Sequence, residues 1–225
     1  MTNDKTKKIA KIISYIVLYI IFVFTAISIF WLLKTDFSLV TILYVFLPGY
    51  EIFLVLRNAN LKTTNFRSIT LDLVIPIISG YFYLFLAFAN VEYRKENIFS
   101  IRDAAFNNIA DILIWTGYFL ALYSLIYLRR YFTVFAEANG LIKKGSYKFI
   151  RNPIYTGYII SAIGGIIKYY SIETIVIAAI YFSLFFIRAF EEEKLLEEKF
   201  GQEYHEYKNS TGRFLPKVSI LFKKK

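Results

Sequence analysis

The feature that most constrains the fold of this chain is a succession of apolar runs. They lie at about 9–33, 38–56, 69–91, 109–128, 154–169 and 172–189, and several approach the roughly 20 residues that cross a hydrocarbon layer as a helix. Inside a bilayer every backbone amide and carbonyl must find its partner within the segment, so such runs fold as helices. Of the 225 residues 57% are hydrophobic and 20% aromatic, too many for an outside that faces water. The first run continues to Leu33, longer than the apolar region of a signal peptide, and no small-residue cleavage site follows it. The expectation is an all-α, polytopic membrane helical bundle of five or six spans.

Charge tests that layout. With the N-terminus in the cytoplasm, 22 of the 27 basic residues fall on the inside, and Lys34, Arg94, Lys95, Arg102 and Lys168 fall outside. Short loops rich in Lys and Arg stay cytoplasmic, so both termini are expected there. The net charge of +10 then reflects orientation and contact with anionic lipid rather than nucleic acid. The fifth span is short. Gly157, Ser161 and Gly165 recur in it at i, i+4 and i+8, a smooth face for close backbone approach. With 166–171 as a tight connection, spans five and six should form a helical hairpin that only just crosses the bilayer or re-enters it.

Several chemistries are excluded. There is no cysteine, hence no disulfide, thiolate nucleophile or thiolate metal site. The single histidine, His205, reads as a solvated residue of the polar C-terminal stretch and cannot build a histidine metal site. A Ser/His/Asp arrangement is implausible with that one histidine in the tail, and no GxGxxG run opens a dinucleotide fold. Three carboxylates accompany the earlier spans. Asp72 and Asp111 follow helix starts, where a capping role explains them. Glu51 lies deeper, after Pro48-Gly49, and either faces a polar cavity or snorkels.

The chemically dense part is a pair of segments flanking the last hairpin, 141–158 and 188–216. In the first, Pro153 suits the first turn of a helix. Arg151 and the free amides of that turn can accept a carboxylate, and Tyr147 and Tyr155 offer rings and hydroxyls at interfacial depth. An interfacial aromatic belt explains the same residues equally well. In the second, Glu191, Glu192 and Glu193 directly follow the apolar run. Glu192, Leu196, Phe200 and Tyr204 share one helical face, Arg188 is placed to pair with Glu192, and Gly201 should bend or end the helix. A solvated charged helix is the bland alternative.

In order, the segments show Gly145, Tyr147, Arg151, Pro153, Tyr155 and Gly157. About thirty residues later come Glu192, Glu193, Phe200, Gly201, Glu203, Tyr204 and Tyr207, closing with Arg213 and Pro216. This resembles the C-terminal signature of the isoprenylcysteine carboxyl methyltransferase family, integral membrane enzymes related to phospholipid methyltransferases. The likeness covers roughly the last 85 residues and departs from the family at Asn152, where a histidine is usual. Asparagine still forms hydrogen bonds but cannot carry a proton near neutral pH.

The resemblance implies S-adenosylmethionine as cofactor and a cytoplasm-facing C-terminal site. It implies catalytic roles for Arg151, Glu192 and Glu193. It implies cofactor contacts from Tyr147, Arg151, Asn152, Pro153, Tyr155, Gly157, Glu191, Glu192, Tyr204 and Tyr207, with no metal. The acceptor would be a lipophilic small molecule or lipid entering from the bilayer, with residues 1–128 forming N-terminal helices and 129–225 the catalytic region. Two other readings stand beside it. Sterol reductases that use NADPH end in a similar arginine-, proline- and tyrosine-rich tail, and a non-enzymatic membrane protein fits the composition alone.

Overall fold

The computed structural model describes residues 104–132, 140–168 and 172–217, together with isolated helical positions between 16 and 57. The apolar run at 69–91 and Asp72 lie outside the described residues. Among those described, three long helices dominate: α1 (Ala104–Leu128), α2 (Pro153–Lys168) and α3 (Ile172–Ser210). A 3-10 turn, Gly145–Lys148, precedes α2. No strand occurs among the described residues. The one pairing of extended backbone is a parallel bridge between Ile150 and Gly212.

Two stretches, Asn107–Leu128 and Thr174–Ser210, are long and apolar enough to cross a membrane. Their surfaces are those of lipid-facing helices. Ile109, Ile112, Phe119 and Ile126 on α1, and Val176, Ile180, Phe186 and Phe190 on α3, point outward, while Ser124, Arg188 and Glu193 are buried. Large apolar groups outside and polar groups inside invert the soluble pattern, and with the composition they mark a membrane protein. Helix α2 has 16 residues, a rise of about 24 Å at ~1.5 Å per residue, short of the ~30 Å hydrocarbon core.

Helix α2 packs chiefly against α1 rather than against its hairpin partner α3. The contact is backbone on backbone. A Cβ added at Gly117 would lie 2.4 Å from the Gly157 carbonyl oxygen, and one at Gly157 would lie 2.5 Å from the Gly117 oxygen. At Gly164 it would come within 2.6 Å of the Ala110 oxygen. The expected small-residue face is thereby corrected at one position. Gly164 rather than Gly165 continues it, and a Cβ on Gly165 would meet nothing within 4 Å. Seven residues bring a helix nearly back to the same azimuth, whereas eight overshoot by most of a right angle.

Asp111 also departs from expectation. It lies two turns into α1, which has no acidic residue in its first turn, and it pairs with Lys168 at the end of α2 instead of capping. Around Phe185 an aromatic core closes α2 onto α3, with ring centroids 5.1 Å to Tyr155, 5.6 Å to Tyr158 and 4.2 Å to Tyr181. Leu47 and Leu54, two of the described helical positions before residue 57, join the same core.

Candidate active site

Helix α2 begins at Pro153, as its fixed φ and missing amide hydrogen favour. The two residues before it are anchored by the chain that returns after α3. The amide of Arg151 donates to the Gly212 carbonyl at 2.8 Å, and that of Asn152 to the Arg213 carbonyl at 3.0 Å. Thr156 Oγ1 donates to the Phe214 carbonyl at 2.8 Å. The return is possible because α3 bends at Gly201, whose φ of 47° and ψ of −119° lie where a side chain would be strained. The mouth of α2 and the tail beyond α3 are thus stitched together.

Two adjacent glutamates of α3 face this seam, and their surroundings differ. Glu193, 4% exposed, accepts from Arg151 Nε at 3.2 Å and from Asn152 Nδ2 at 2.8 Å. Arg213 grips it in addition, through Nε at 3.1 and 3.2 Å and Nη2 at 3.1 Å. The Arg213 guanidinium also lies over the Phe190 ring at 3.9 Å. Both oxygens of Glu193 are committed. Arg151 is nearly so, because Nη1 donates to the carbonyls of Lys208 at 3.1 Å and Thr211 at 2.6 Å, at the negative end of α3. Among the described residues its Nη2 makes no hydrogen bond.

Glu192 uses one oxygen. Oε1 accepts from the Tyr155 hydroxyl at 2.6 Å and from Arg188 Nε at 2.9 Å, while among the described residues Oε2 has no hydrogen-bond partner. The expected Arg188–Glu192 pair is therefore present, and Arg188 also stacks over Tyr155 at 5.5 Å. Glu191 is half-buried beside them.

Tyrosines line the same region. Tyr147 is buried in the 3-10 turn, and its carbonyl accepts from the Tyr207 hydroxyl at 2.7 Å. Tyr204 is fully buried, and its hydroxyl has no hydrogen-bond partner among the described residues. Burial holds the phenols of Tyr147, Tyr204 and Tyr207 above their ordinary pKa, and nearby glutamates push the same way. They remain neutral hydrogen-bond donors at physiological pH.

Of the residues singled out in the sequence, Arg151, Asn152 and Glu193 meet in one hydrogen-bonded cluster and Tyr155 and Glu192 in a second, with Tyr147, Tyr204 and Tyr207 buried in the same region. Pro153 is buried at the start of α2, and Gly157 faces α1 in the close contact described above. Arg213 was visible in the signature yet received no role, although it makes more contacts to Glu193 than any other residue. His205 is an exposed partner of Glu197 at 3.1 Å.

These geometries sit within a recognisable stretch of sequence. Residues 106–203 match the family described as phospholipid methyltransferase. The matched stretch takes in most of α1, all of α2 and α3 as far as Glu203. Protein-S-isoprenylcysteine O-methyltransferase A of Arabidopsis thaliana is 28% identical over 119 residues, 50% of this chain and 60% of that protein. Probable protein-S-isoprenylcysteine O-methyltransferases of Oryza sativa subsp. indica and subsp. japonica are each 25% identical over 149 residues, 62% of this chain and 78% of theirs. The family likeness read from the two flanking segments is thereby supported.

Proposed function

We propose that the chain is an S-adenosylmethionine-dependent methyltransferase acting on a lipophilic acceptor, isoprenylcysteine-like or lipid, that enters from the bilayer. In this reading residues 1–128 form the N-terminal spans of a five- or six-span bundle and 129–225 the catalytic region, with both termini cytoplasmic. The observation that carries it is the open oxygen of Glu192 at the membrane mouth of a methyltransferase domain. The Tyr204 hydroxyl and Arg151 Nη2, which have no hydrogen-bond partner among the described residues, add two open donors near Glu193.

The donor set fits the cofactor. S-Adenosylmethionine brings a carboxylate, an ammonium, an adenine ring and a sulfonium whose methyl carbon is electrophilic. Arg151 Nη2 suits the carboxylate as a charge-assisted donor. Glu192 Oε2 and Glu191 suit the cationic groups, and the tyrosines offer flat faces. The Glu193 cluster holds Arg151 in place, so it acts by positioning. Methyl transfer is an in-line displacement, and the contribution left to the protein is alignment and exclusion of water. The buried rings of Tyr155, Tyr158 and Phe185 provide that dry wall on the bilayer side. Asn152 donates to Glu193 and is not a general base.

The test is calorimetry on the purified full chain in detergent. The expected result is saturable heat with S-adenosylmethionine or its demethylated product and none with NADPH. Heat with NADPH alone would replace this reading by the reductase one. A reporter fused after Lys225 should be active on the cytoplasmic side, and activity only on the outside would overturn the orientation.

A further inference from the structure

The chain beyond α3 does more than return to the mouth of α2. It makes a tight reversal at 212–216 whose tip is apolar. A Cβ added at Gly212 would lie 1.7 Å from the Leu215 carbonyl oxygen, so the turn closes only over a glycine. Phe214 is half-buried, while Leu215 is 73% exposed.

The tip does not sit above the mouth. The Phe214 ring meets Phe186 edge-on, with centroids 4.7 Å apart, and Thr156 of α2 holds the Phe214 carbonyl. Phe186 precedes Glu191 by five residues, about 7.5 Å along α3 at ~1.5 Å per residue. Thr156 lies three residues inside the start of α2, about 4.5 Å by the same rise. Phe186 and Phe190 belong to the outward-facing apolar surface of α3, so Leu215 continues a surface already turned to lipid.

Irregular backbone survives at membrane depth only where its polar groups are satisfied within the protein. Here the carbonyls of Gly212 and Arg213 accept from the amides of Arg151 and Asn152, and that of Phe214 accepts from Thr156. The Gly212 amide donates to Phe149, and Pro216 has no amide hydrogen to satisfy. The flanking cations are committed as well. Arg213 grips Glu193 and covers the Phe190 ring, and Lys217 Nζ donates to the carbonyls of Lys208 and Asn209. A turn with its charges spent inside the protein and a bare leucine outside fits acyl chains, not a headgroup phosphate.

We propose that the 212–216 turn is a membrane-inserted wedge: Leu215 lies among lipid acyl chains, and this contact holds the tail against the mouth of α2. Apolar groups so placed bury about 5–10 Å into the headgroup–acyl boundary, the depth that Phe186 and Thr156 give the turn. Because Arg213 belongs to the same turn, the wedge also keeps the Glu193 cluster closed around Arg151. It requires the membrane setting and not the methyl-transfer reading, so a failure to bind any methyl donor would leave it standing.

The chain has no cysteine, so a single cysteine introduced into the full chain carries a nitroxide label at one place. Leu215→Cys is compared, in phosphatidylcholine vesicles, with Ile180→Cys on the outward face of α3 and Lys199→Cys on its exposed polar part. Relaxation by oxygen, which concentrates in lipid, and by a water-soluble nickel chelate separates the environments. The label at 215 should favour oxygen as the one at 180 does, with or without anionic lipid in the vesicle. A preference for nickel, as at 199, would place the tip in water and overturn the proposal. Shielding from both would mean that protein, such as a second copy of the chain, covers Leu215, and this too overturns it. So does an oxygen preference seen only with anionic lipid, which would make a headgroup the partner. The hold on the tail is read by trypsin cleavage after Arg213, with protection of the spans as the check on folding. Leu215→Asp should speed that cleavage several-fold, and Leu215→Phe should match the wild type. Cleavage of Leu215→Asp at the wild-type rate would remove the hold and with it the proposal.

Discussion

Glu192 and Glu193 are neighbours on one helix, yet they sit in opposite situations. Glu193 is enclosed by Arg151, Asn152 and Arg213, with both oxygens committed. Glu192 shares Oε1 between Tyr155 and Arg188 and keeps Oε2 open. Successive residues on a helix point about 100° apart, so one carboxylate turns into the seam between α2 and the returning tail while the other turns along the membrane mouth. A saturated buried carboxylate is a structural fastener. An unsaturated one beside buried aromatic groups is a place for a ligand, and the difference assigns two roles to one acidic run.

The sharpest way to break the comparison is to remove the fastener. Glu193→Ala leaves the Arg151 and Arg213 guanidiniums without their shared counter-charge, and breaking a buried pair costs about 3–5 kcal/mol. Thermal unfolding in detergent should fall markedly, and the tail after Ser210 should become open to protease. A variant that unfolds like the wild type would show that the seam does not depend on this carboxylate. Glu192→Gln should behave differently. It retains an acceptor for the Tyr155 hydroxyl and should unfold near the wild-type midpoint. Its affinity for S-adenosylmethionine should drop by about 1.5–3 kcal/mol, roughly tenfold to a hundredfold. If both variants lose stability and affinity in parallel, the two glutamates have one role and the distinction fails. Arg151→Ala belongs with Glu193→Ala, since its guanidinium also caps the carbonyls of Lys208 and Thr211.

Much of this was legible in the sequence, for reasons of period and residue type. Pro153 announced the start of α2, Gly201 the bend in α3, and the four-residue spacing of Arg188 and Glu192 their ion pair. The two clustered segments had to meet because each flanks the same hairpin. What stayed hidden depends on tertiary approach. Nothing local distinguishes Glu192 from Glu193, since the tail that saturates Glu193 arrives twenty residues later through Arg213. Gly164 and Gly165 are equivalent until α1 chooses a face. Asp111 looked like a helix cap because its partner Lys168 lies 57 residues away. Glu51 was readable only as deep, its Tyr158 partner lying on another helix.

Asn152 gives a smaller and more selective test. Its Nδ2 donates to Glu193 at 2.8 Å, so the position needs a donor and not a base. Asn152→His offers an imidazole N–H in the same direction and should change unfolding by under about 1 kcal/mol, the scale of one neutral hydrogen bond. Asn152→Ala removes the donor from a buried carboxylate and should cost more, within the ~1–3 kcal/mol of an unsatisfied buried group. If His is far worse than Ala, space and not hydrogen bonding governs the site.

The smallest effects belong to charges outside both environments, and they decide whether the larger ones mean anything. Lys143 pairs with Glu203 at 2.9 Å, but both side chains are exposed, at 40% and 57%. Exposed pairs contribute about 0–1 kcal/mol, because water screens the attraction and ordering two long side chains costs entropy. Lys143→Ala should therefore leave S-adenosylmethionine affinity within about twofold of the wild type, and Glu198→Ala, on the solvated side of α3, should do the same. Both carry full charges at exposed positions, so they share its long-range field but not its buried contacts. Equal weakening by Lys143→Ala, Glu198→Ala and Glu192→Gln would mean that the cofactor senses only overall charge at the membrane surface. Weakening confined to Glu192→Gln would locate recognition at the one open carboxylate oxygen.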